Sequence, residues 1–507
     1  MNSIFTINNF IINQIVNQIV NQIVNQIVNQ IVNQKKKQVK MEEKLEEKHS
    51  NGNNGKDVQN HVKELNHIKE TGKSNKQTQN LKRILFVTLD SLIADIAWRI
   101  LNEGHGVKYH VSSPDDKEVG LGFVEMVDDW EKGVKWADLI VFDDVLGQGE
   151  RAKKLREQGK LVIGGTPYTD KLEDDREFGQ EELKKAGINI LPHKVFTDFK
   201  EAIQYVKDNP GKYVMKPCGE AANLKGLLYI GEEDDGRDVI QVLNDYNKAW
   251  ASKIPAFQLQ KKINGVEIAV GAFFDGKEFI YPINVNFEHK KLFPGNLGPS
   301  TGEMGTAMFW SGPNRLFNQT LKKMEPKLAE EGYVGYIDLN CIVNSKGIYP
   351  LEFTSRFGYP CVFIQEEGML ASFGDFLYEL AQGKKPKLKV KSGFQIGVRI
   401  VVPPFPFRDQ ETFEVKSKDS VIFFKKPTEG VHFEDVKLVN GEWVITGNSG
   451  VALVVCGCGQ TMKQAQLQAY QRIKNISIPH MYYRDDIGER WFEDSDKLHS
   501  WGYLREN

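Results

Sequence analysis

Residues 11–34 repeat a four-residue unit six times, once as Ile-Ile-Asn-Gln and then five times as Ile-Val-Asn-Gln. A period of four drifts by about 40° per repeat on a helix of 3.6 residues per turn, so its apolar pairs spiral round the cylinder instead of forming a stripe. On a strand, two apolar residues followed by two polar ones defeat the alternation that one buried face requires. The unit also lacks the length and the glycine turns of a solenoid repeat. No basic segment precedes it and it contains no Arg, which argues against a signal or transit peptide. Residues 35–80 continue without Phe, Trp or Tyr, carry eleven Lys against seven acids, and include Ser50-Asn51-Gly52-Asn53-Asn54-Gly55. That is linker chemistry. Residues 1–80 are therefore expected to be a disordered, low-complexity tail, and a packed fold is expected to begin at Leu81.

The full chain of 507 residues carries 66 Lys+Arg against 68 Asp+Glu, for a net charge of −2. At about 150 residues per domain the length allows roughly three domains. A balanced charge gives no excess of cations for nucleic-acid phosphates. No run of about 18 apolar residues offers a membrane span. Five cysteines make no disulfide framework. A cytoplasmic protein without nucleic-acid or membrane partners, monomeric or homodimeric, is the expected class.

From Arg83 the pattern becomes regular. Arg83–Thr88, Val107–Val111, Leu139–Phe142 and Leu161–Gly165 read as strands. Leu92, Ile93, Ile96, Ala97, Ile100 and Leu101 fall at helical spacing, and the helix ends at Gly104. Strands alternating with helices predict a parallel, doubly wound sheet over 81–189. Its first strand-to-helix turn, Thr88-Leu89-Asp90-Ser91, lacks the glycines of a close phosphate cradle. Longer strands joined by glycine turns predict an α+β unit over 190–385. After Lys384-Lys385-Pro386-Lys387 comes a smaller unit, 386–507, with strands at 395–402 and 451–456 and a helix over 461–474.

Four segments carry chemistry. Lys216 stands at a strand end, before a loop containing Lys225 and Gly226 that suits a triphosphate; a surface hairpin would read the same. The strand holding Gln260, Lys261 and Ile263 leads to Glu267, where a base and a ribose would find partners, although an ordinary Asn-Gly turn fits too. Gly298-Pro299-Ser300-Thr301-Gly302-Glu303-Met304-Gly305 is a loop whose N–H groups suit an anion, and Glu288-His289-Lys290 precedes it. A mobile hairpin tip remains open. Finally, alternation puts Asp338 and Asn340 on one face of a strand, and Glu352 and Thr354 on one face of the next. Oxygen ligands on neighbouring strands suit Mg²⁺ bound with nucleotide phosphates, and Arg356 follows to clamp a phosphate or carboxylate. A solvent-facing edge hairpin is the alternative.

Together these segments resemble the ATP-grasp superfamily, and within it the phosphoribosylamine–glycine ligase family, over about Arg83 to Gly488. Gly298–Gly305 is similar to that family's G-P-N-T-G-G-M-G, Glu352–Pro360 to E-F-N-x-R-F-G-D-P, and Glu288-His289-Lys290 to D-H-K. The resemblance implies a Rossmann-like pre-ATP-grasp domain, an ATP-grasp domain and a small C-terminal α+β domain. It implies ATP with Mg²⁺ or Mn²⁺ as cofactors, Arg176 and Lys216 on the ATP phosphates, and Lys225-Gly226 as a closing loop. Gln260, Lys261 and Ile263 would lie along the adenine, Glu267 on the ribose, and Glu352 on the metal with Thr354 in place of the family's Asn. Asn340 is a further candidate metal ligand. Arg356 would orient the carboxylate, with Glu288, His289, Lys290, Gly298, Pro299, Ser300, Thr301 and Gly302 around the substrate.

The implied reaction joins an amino-acid carboxylate to an amine, glycine and 5-phosphoribosylamine in purine biosynthesis. The departures are Thr88–Leu92 for G-N-G-G-R-E-H, Phe142-Asp143-Asp144-Val145 for the G-P-E segment, and Tyr359 for Asp. They leave room for a different acid–amine pair or for a nucleotide-binding pseudoenzyme. A metal or redox site on Cys456-Gly457-Cys458 is a third reading, with both thiols on one strand face.

Overall fold

The computed structural model describes residues 81–218, 227–427 and 429–506. Unbroken apolar runs need cover on both faces, and the N-terminal strands find it in a parallel sheet. Its order is Gly106–Val111, Arg83–Thr88, Leu139–Phe142, Val162–Ile163. The helix Ala94–Asn102 presses Ile96, Ala97 and Ile100 onto it, all fully buried, and Gly104 leaves it at a φ of 104°. Leu101 differs from the expectation. It is exposed, because the helix turns that position away from the sheet.

A second, antiparallel sheet runs His193–Phe196, Phe257–Lys261, Tyr213–Pro217, Tyr229–Ile230. Helices Phe199–Asp208 and Arg237–Ala249 pack on it, each with an apolar stripe at helical spacing. Phe199, Val206, Met215, Leu243 and Phe257 close a core separate from that of the rest.

The third sheet has eight antiparallel strands: Gly347–Thr354, Val334–Asn344, Val266–Asp275, Ile283–Glu288, Gly305–Ser311, Phe394–Val401, Val451–Gly459 and Val431–Phe433. Helices Cys361–Gly368, Phe373–Ala381 and Met462–Ile473 contribute to the same large core. The last begins with a capping box between Thr461 and Gln464, where the sequence places its start. The strands expected in 386–507 are present, but they hydrogen-bond onto the sheet of the preceding segment, with Phe394–Val401 paired to Gly305–Ser311. Residues 81–507 form one compact unit. No described helix is long and apolar enough to cross a membrane.

Candidate active site

Cross-strand register brings the candidate ligands together. Asn340 pairs with Glu352 and Asp338 with Thr354, so all four side chains leave one face while Leu339 and Phe353 fill the core behind. The neighbouring strand sets Glu267 opposite Ile342, and the end of Ile283–Glu288 adds Glu288. Asn340 Nδ2 donates to Glu288 Oε2 at 2.8 Å.

Three cations answer these carboxylates. Lys290 Nζ lies 3.2 Å from Glu352 Oε1, 3.2 Å from Glu288 Oε2 and 3.4 Å from Glu267 Oε1. Arg176, the first residue of its helix, donates to Glu352 Oε2 at 3.2 Å. Lys216 stands buried on Tyr213–Pro217. Lys290 above all, with Arg176 and Lys216, holds the Glu352 carboxyl down to about 2 against the effect of burial. Burial lowers the Lys290 ammonium, but Glu288, Glu352 and Glu267 outweigh it and hold the group well above its ordinary value. Lys216 goes the other way. Burial, then the like charges of Arg176 and Lys290, bring it down to about 8.

The oxygen chemistry here fits a divalent cation. Asn340 Oδ1 is buried without a hydrogen-bond partner, next to Glu352. Among the described residues no group of three His, Cys, Asp or Glu side chains is arranged to hold a metal by itself. Mg²⁺ does not need one, because it takes one or two protein carboxylates and completes its shell with phosphates and water.

A cavity of about 410 Å³ opens beside this cluster. Glu352, Thr354, Lys290 and Arg356 line one part of it, Gly302, Glu303 and Asp338 another, and Asp90, Asp116, Arg408 and Asp435 a third. A Cβ built on Gly302 would meet nothing within 4 Å, so the backbone there faces open space. Arg356 is already engaged: its Nε donates to Glu173 at 3.1 Å and its NH1 to the Phe357 carbonyl at 2.8 Å. Two of the departures from the family pattern meet here. The Tyr359 hydroxyl lies 3.3 Å from the Asp143 carbonyl and 3.4 Å from its Oδ2. Burial, then Asp144, raises the Asp143 carboxyl well above its ordinary value, a state that tolerates its apolar surroundings.

The remaining candidates are distributed differently. Gln260 is buried in the second sheet, and Ile263 is half-buried just beyond the strand. Lys261 points its ammonium over the Tyr213 ring, 4.1 Å from the centroid, and toward the Asn209 and Pro210 carbonyls, so its side chain is not in the cluster. Lys225 and Gly226 lie outside the described residues. His289 is fully buried; its Nε2 accepts from the Gly488 N–H at 3.3 Å, and burial, with Arg490 and Arg484, brings it down to about 3. It is a neutral anchor for the C-terminal segment. Gly298, Pro299 and Ser300 lie on the strand Leu297–Ser300, which is mostly exposed and hairpins with Lys291–Phe293, while Thr301 donates to the Lys290 carbonyl. Cys456 is buried and Cys458 half-buried, both as free thiols.

The sequence gives no sign of Glu173, which holds Arg356, or of Asp116, Arg408 and Asp435 in the cavity lining, whereas Asp90 lies in the first strand-to-helix turn, already marked by its departure from the family pattern. Glu303 lies within the glycine-rich motif, where the sequence assigns it no role. The available signal was a charged residue where the resembling motif has glycine.

Comparison with known proteins gives the family and the fold. Residues 174–362 match the phosphoribosylglycinamide synthetase ATP-grasp (A) domain, and residues 398–490 match the phosphoribosylglycinamide synthetase C domain. Among curated proteins, the phosphoribosylamine–glycine ligase of Streptococcus pneumoniae strain R6 is 25% identical over 359 residues, 69% of this chain and 82% of that protein. That of Clostridium acetobutylicum is 25% identical over 351 residues, 66% of this chain and 80% of its own length. In fold, the chain is similar to the crystal structure of phosphoribosylamine–glycine ligase from Thermotoga maritima, with a TM-score of 0.59 and 21% identity over 80% of this chain and all of that one. The biotin carboxylase domain of Hydrogenobacter thermophilus 2-oxoglutarate carboxylase, solved with MgADP and bicarbonate, gives 0.54 at 15% identity over 85% of this chain and 99% of that one.

Proposed function

Because this chain belongs to the phosphoribosylglycinamide synthetase family of ATP-grasp proteins, we propose that it is an ATP-dependent carboxylate–amine ligase, joining glycine to 5-phosphoribosylamine in purine biosynthesis. One observation carries the reading: Glu352, which lines a cavity of about 410 Å³, is held by Lys290 and Arg176 with buried Lys216 acting on it.

In the reaction a carboxylate oxygen attacks the γ-phosphorus of ATP, giving an acyl phosphate and ADP. The amine nitrogen then attacks the acyl carbon, the C–O bond to phosphate breaks, phosphate leaves, and the nitrogen gives up a proton to solvent. Lys216 and Arg176, the cations that act on Glu352 together with Lys290, would neutralise charge on the transferring phosphoryl group. Glu352 and Asn340 Oδ1, with Thr354 beside them, would hold Mg²⁺ or Mn²⁺, which supplies charge neutralisation on the nucleotide phosphates. We place the reaction in the cytoplasm.

A second reading within the same chemistry is favoured by Asp90, Asp116 and Asp435 on the cavity wall. Carboxylates repel a substrate phosphate, so an amine without a phosphate fits that wall better. The test is ADP release with Mg·ATP, glycine and freshly generated phosphoribosylamine, beside a Glu352→Ala control. ADP that requires both substrates and is lost in the control supports the purine ligase. ADP formed only with other acid–amine pairs supports the second reading. Nucleotide binding without ADP from any pair would leave a pseudoenzyme and sink the ligase reading.

A further inference from the structure

Two carboxylates in the cavity lack a cation of their own. Glu303, between the strands Leu297–Ser300 and Gly305–Ser311, and Asp338, inside Val334–Asn344, both line it and are each more than nine-tenths buried. Glu303 Oε1 and Asp338 Oδ1 have no hydrogen-bond partner among the described residues, and the other Asp338 oxygen accepts only from the neutral Tyr336 hydroxyl, at 3.2 Å. The three cations that act on them are held by other carboxylates, and Arg408, on the same cavity lining, acts on Asp90 and Asp116. Lys290 is held by Glu267, Glu288 and Glu352, Arg356 by Glu173, and Arg399 by Glu434 through bonds of 2.6 and 2.9 Å.

A buried carboxylate without a partner is costly, and two that repel each other are more so. Burial above all, then the carboxylates of Glu288 and Asp338, raises the proton affinity of the Glu303 carboxyl. Such a pair is retained at little cost where a cationic group arrives with the ligand. A phosphate is the wrong sign for it. An ammonium fits: it donates several hydrogen bonds, and Gly302 beside it leaves backbone space for close approach. Glu303 is also this chain's own feature, since the motif that its loop resembles has glycine there.

We propose that Glu303 and Asp338 receive the ammonium group of the amino acid whose carboxylate is phosphorylated, and so select an amino acid over a simple carboxylic acid. The assignment rests on the ligase reading above for which carboxylate reacts. The ammonium end lies on the Glu303–Asp338 wall, and the carboxylate reaches toward Lys290 and Glu352, which line the same cavity.

The experiment compares glycine with acetate, the same carboxylate without the ammonium. Calorimetric titration in the presence of Mg²⁺ and a non-hydrolysable ATP analogue is run on the wild type, Glu303→Gln and Asp338→Asn, two substitutions that keep side-chain size. ADP release is measured alongside. Wild type should bind glycine at least about tenfold more tightly than acetate, and each variant should lose about 10- to 100-fold in glycine affinity while acetate and ATP are unchanged. Unchanged glycine affinity in both variants overturns the proposal. Equal losses for glycine and acetate overturn it too, because the residues would then shape the pocket without reading the ammonium. Selective glycine binding that depends on Glu303, with no ADP formed, would uphold the ammonium site and sink the ligase reading, so the two fail separately.

Discussion

At the scale of single residues, Lys216 is the clearest case of sequence and surroundings acting together. Its place at a strand end before a glycine loop fits a surface hairpin as well, and the family resemblance is what implies a phosphate cation; burial, then the charges of Arg176 and Lys290, bring its ammonium down to about 8. Below that value the group is charged and available to ATP, and above it the charge is lost. Affinity for ATP should therefore weaken about tenfold as pH rises from 7 to 9, measured by nucleotide titration at constant Mg²⁺. Lys216→Arg, charged throughout, should flatten that dependence; a wild-type affinity that does not change with pH would remove Lys216 from the phosphate site. Glu352, Asn340 and Thr354 were equally legible, because a period of two in each strand fixes which side chains share a face. Lys290 lines the cavity, as its motif position beside a substrate loop implies, but the structure also sets it amid three carboxylates, the furthest of them, Glu352, 62 residues along the chain. Sequence spacing holds no information about that distance until the sheet is assembled.

At the scale of elements, strands and helices of the N-terminal sheet were readable to within a residue or two, since continuous apolar runs and helical stripes are local signals. Their partners were not. The strand Phe394–Val401 looked like the start of a separate unit, and only its pairing with Gly305–Ser311 makes it a continuation of the catalytic sheet. His289 shows what such joining demands of one element. It follows the strand Ile283–Glu288 and accepts from the Gly488 N–H, buried and neutral, its affinity for protons brought down to about 3. A histidine whose folded value lies below its unfolded value of about 6.5 gives its full stabilisation above 6.5 and loses it as pH falls toward 3. Between pH 7 and 4 this group alone should remove about 3 kcal/mol of stability. Denaturant unfolding of the wild type and His289→Gln at both values should show the wild type losing that much more than the variant. Equal losses would mean that the imidazole is already charged in the folded protein.

At the scale of the whole molecule, the cavity is a long-range object, with Asp90, Glu303, Asp338 and Asp435 drawn from segments more than 300 residues apart. No motif search could assemble that wall. The compact unit begins at Leu81 with its cores closed within 81–507. Removing residues 1–80 should therefore leave the melting temperature and ATP affinity unchanged, and a truncated chain that fails to fold would move the boundary. A buried set around Asp95 ties together two segments that lead to the cavity lining. Its carboxylate accepts from Arg99 at 2.6 Å, from His432 Nδ1 at 2.8 Å and from the Phe433 N–H at 3.1 Å, and Arg99 also donates to the Val431 carbonyl at 2.7 Å. Burial opposes ionisation of Asp95, but Arg99 and His432 outweigh it and keep the carboxyl below its ordinary value. This joins the helix that follows Asp90 to the strand that precedes Asp435. Asp95→Ala would leave His432 buried without its acceptor and strip half-buried Arg99 of one of its partners, at a cost of about 3–5 kcal/mol. If the set also fixes the cavity, the variant's KM for the amine should rise several-fold while its KM for ATP stays put, because the Lys216 and Glu352 cluster lies on other strands. Loss of stability with both KM values unchanged would confine Asp95 to holding the fold.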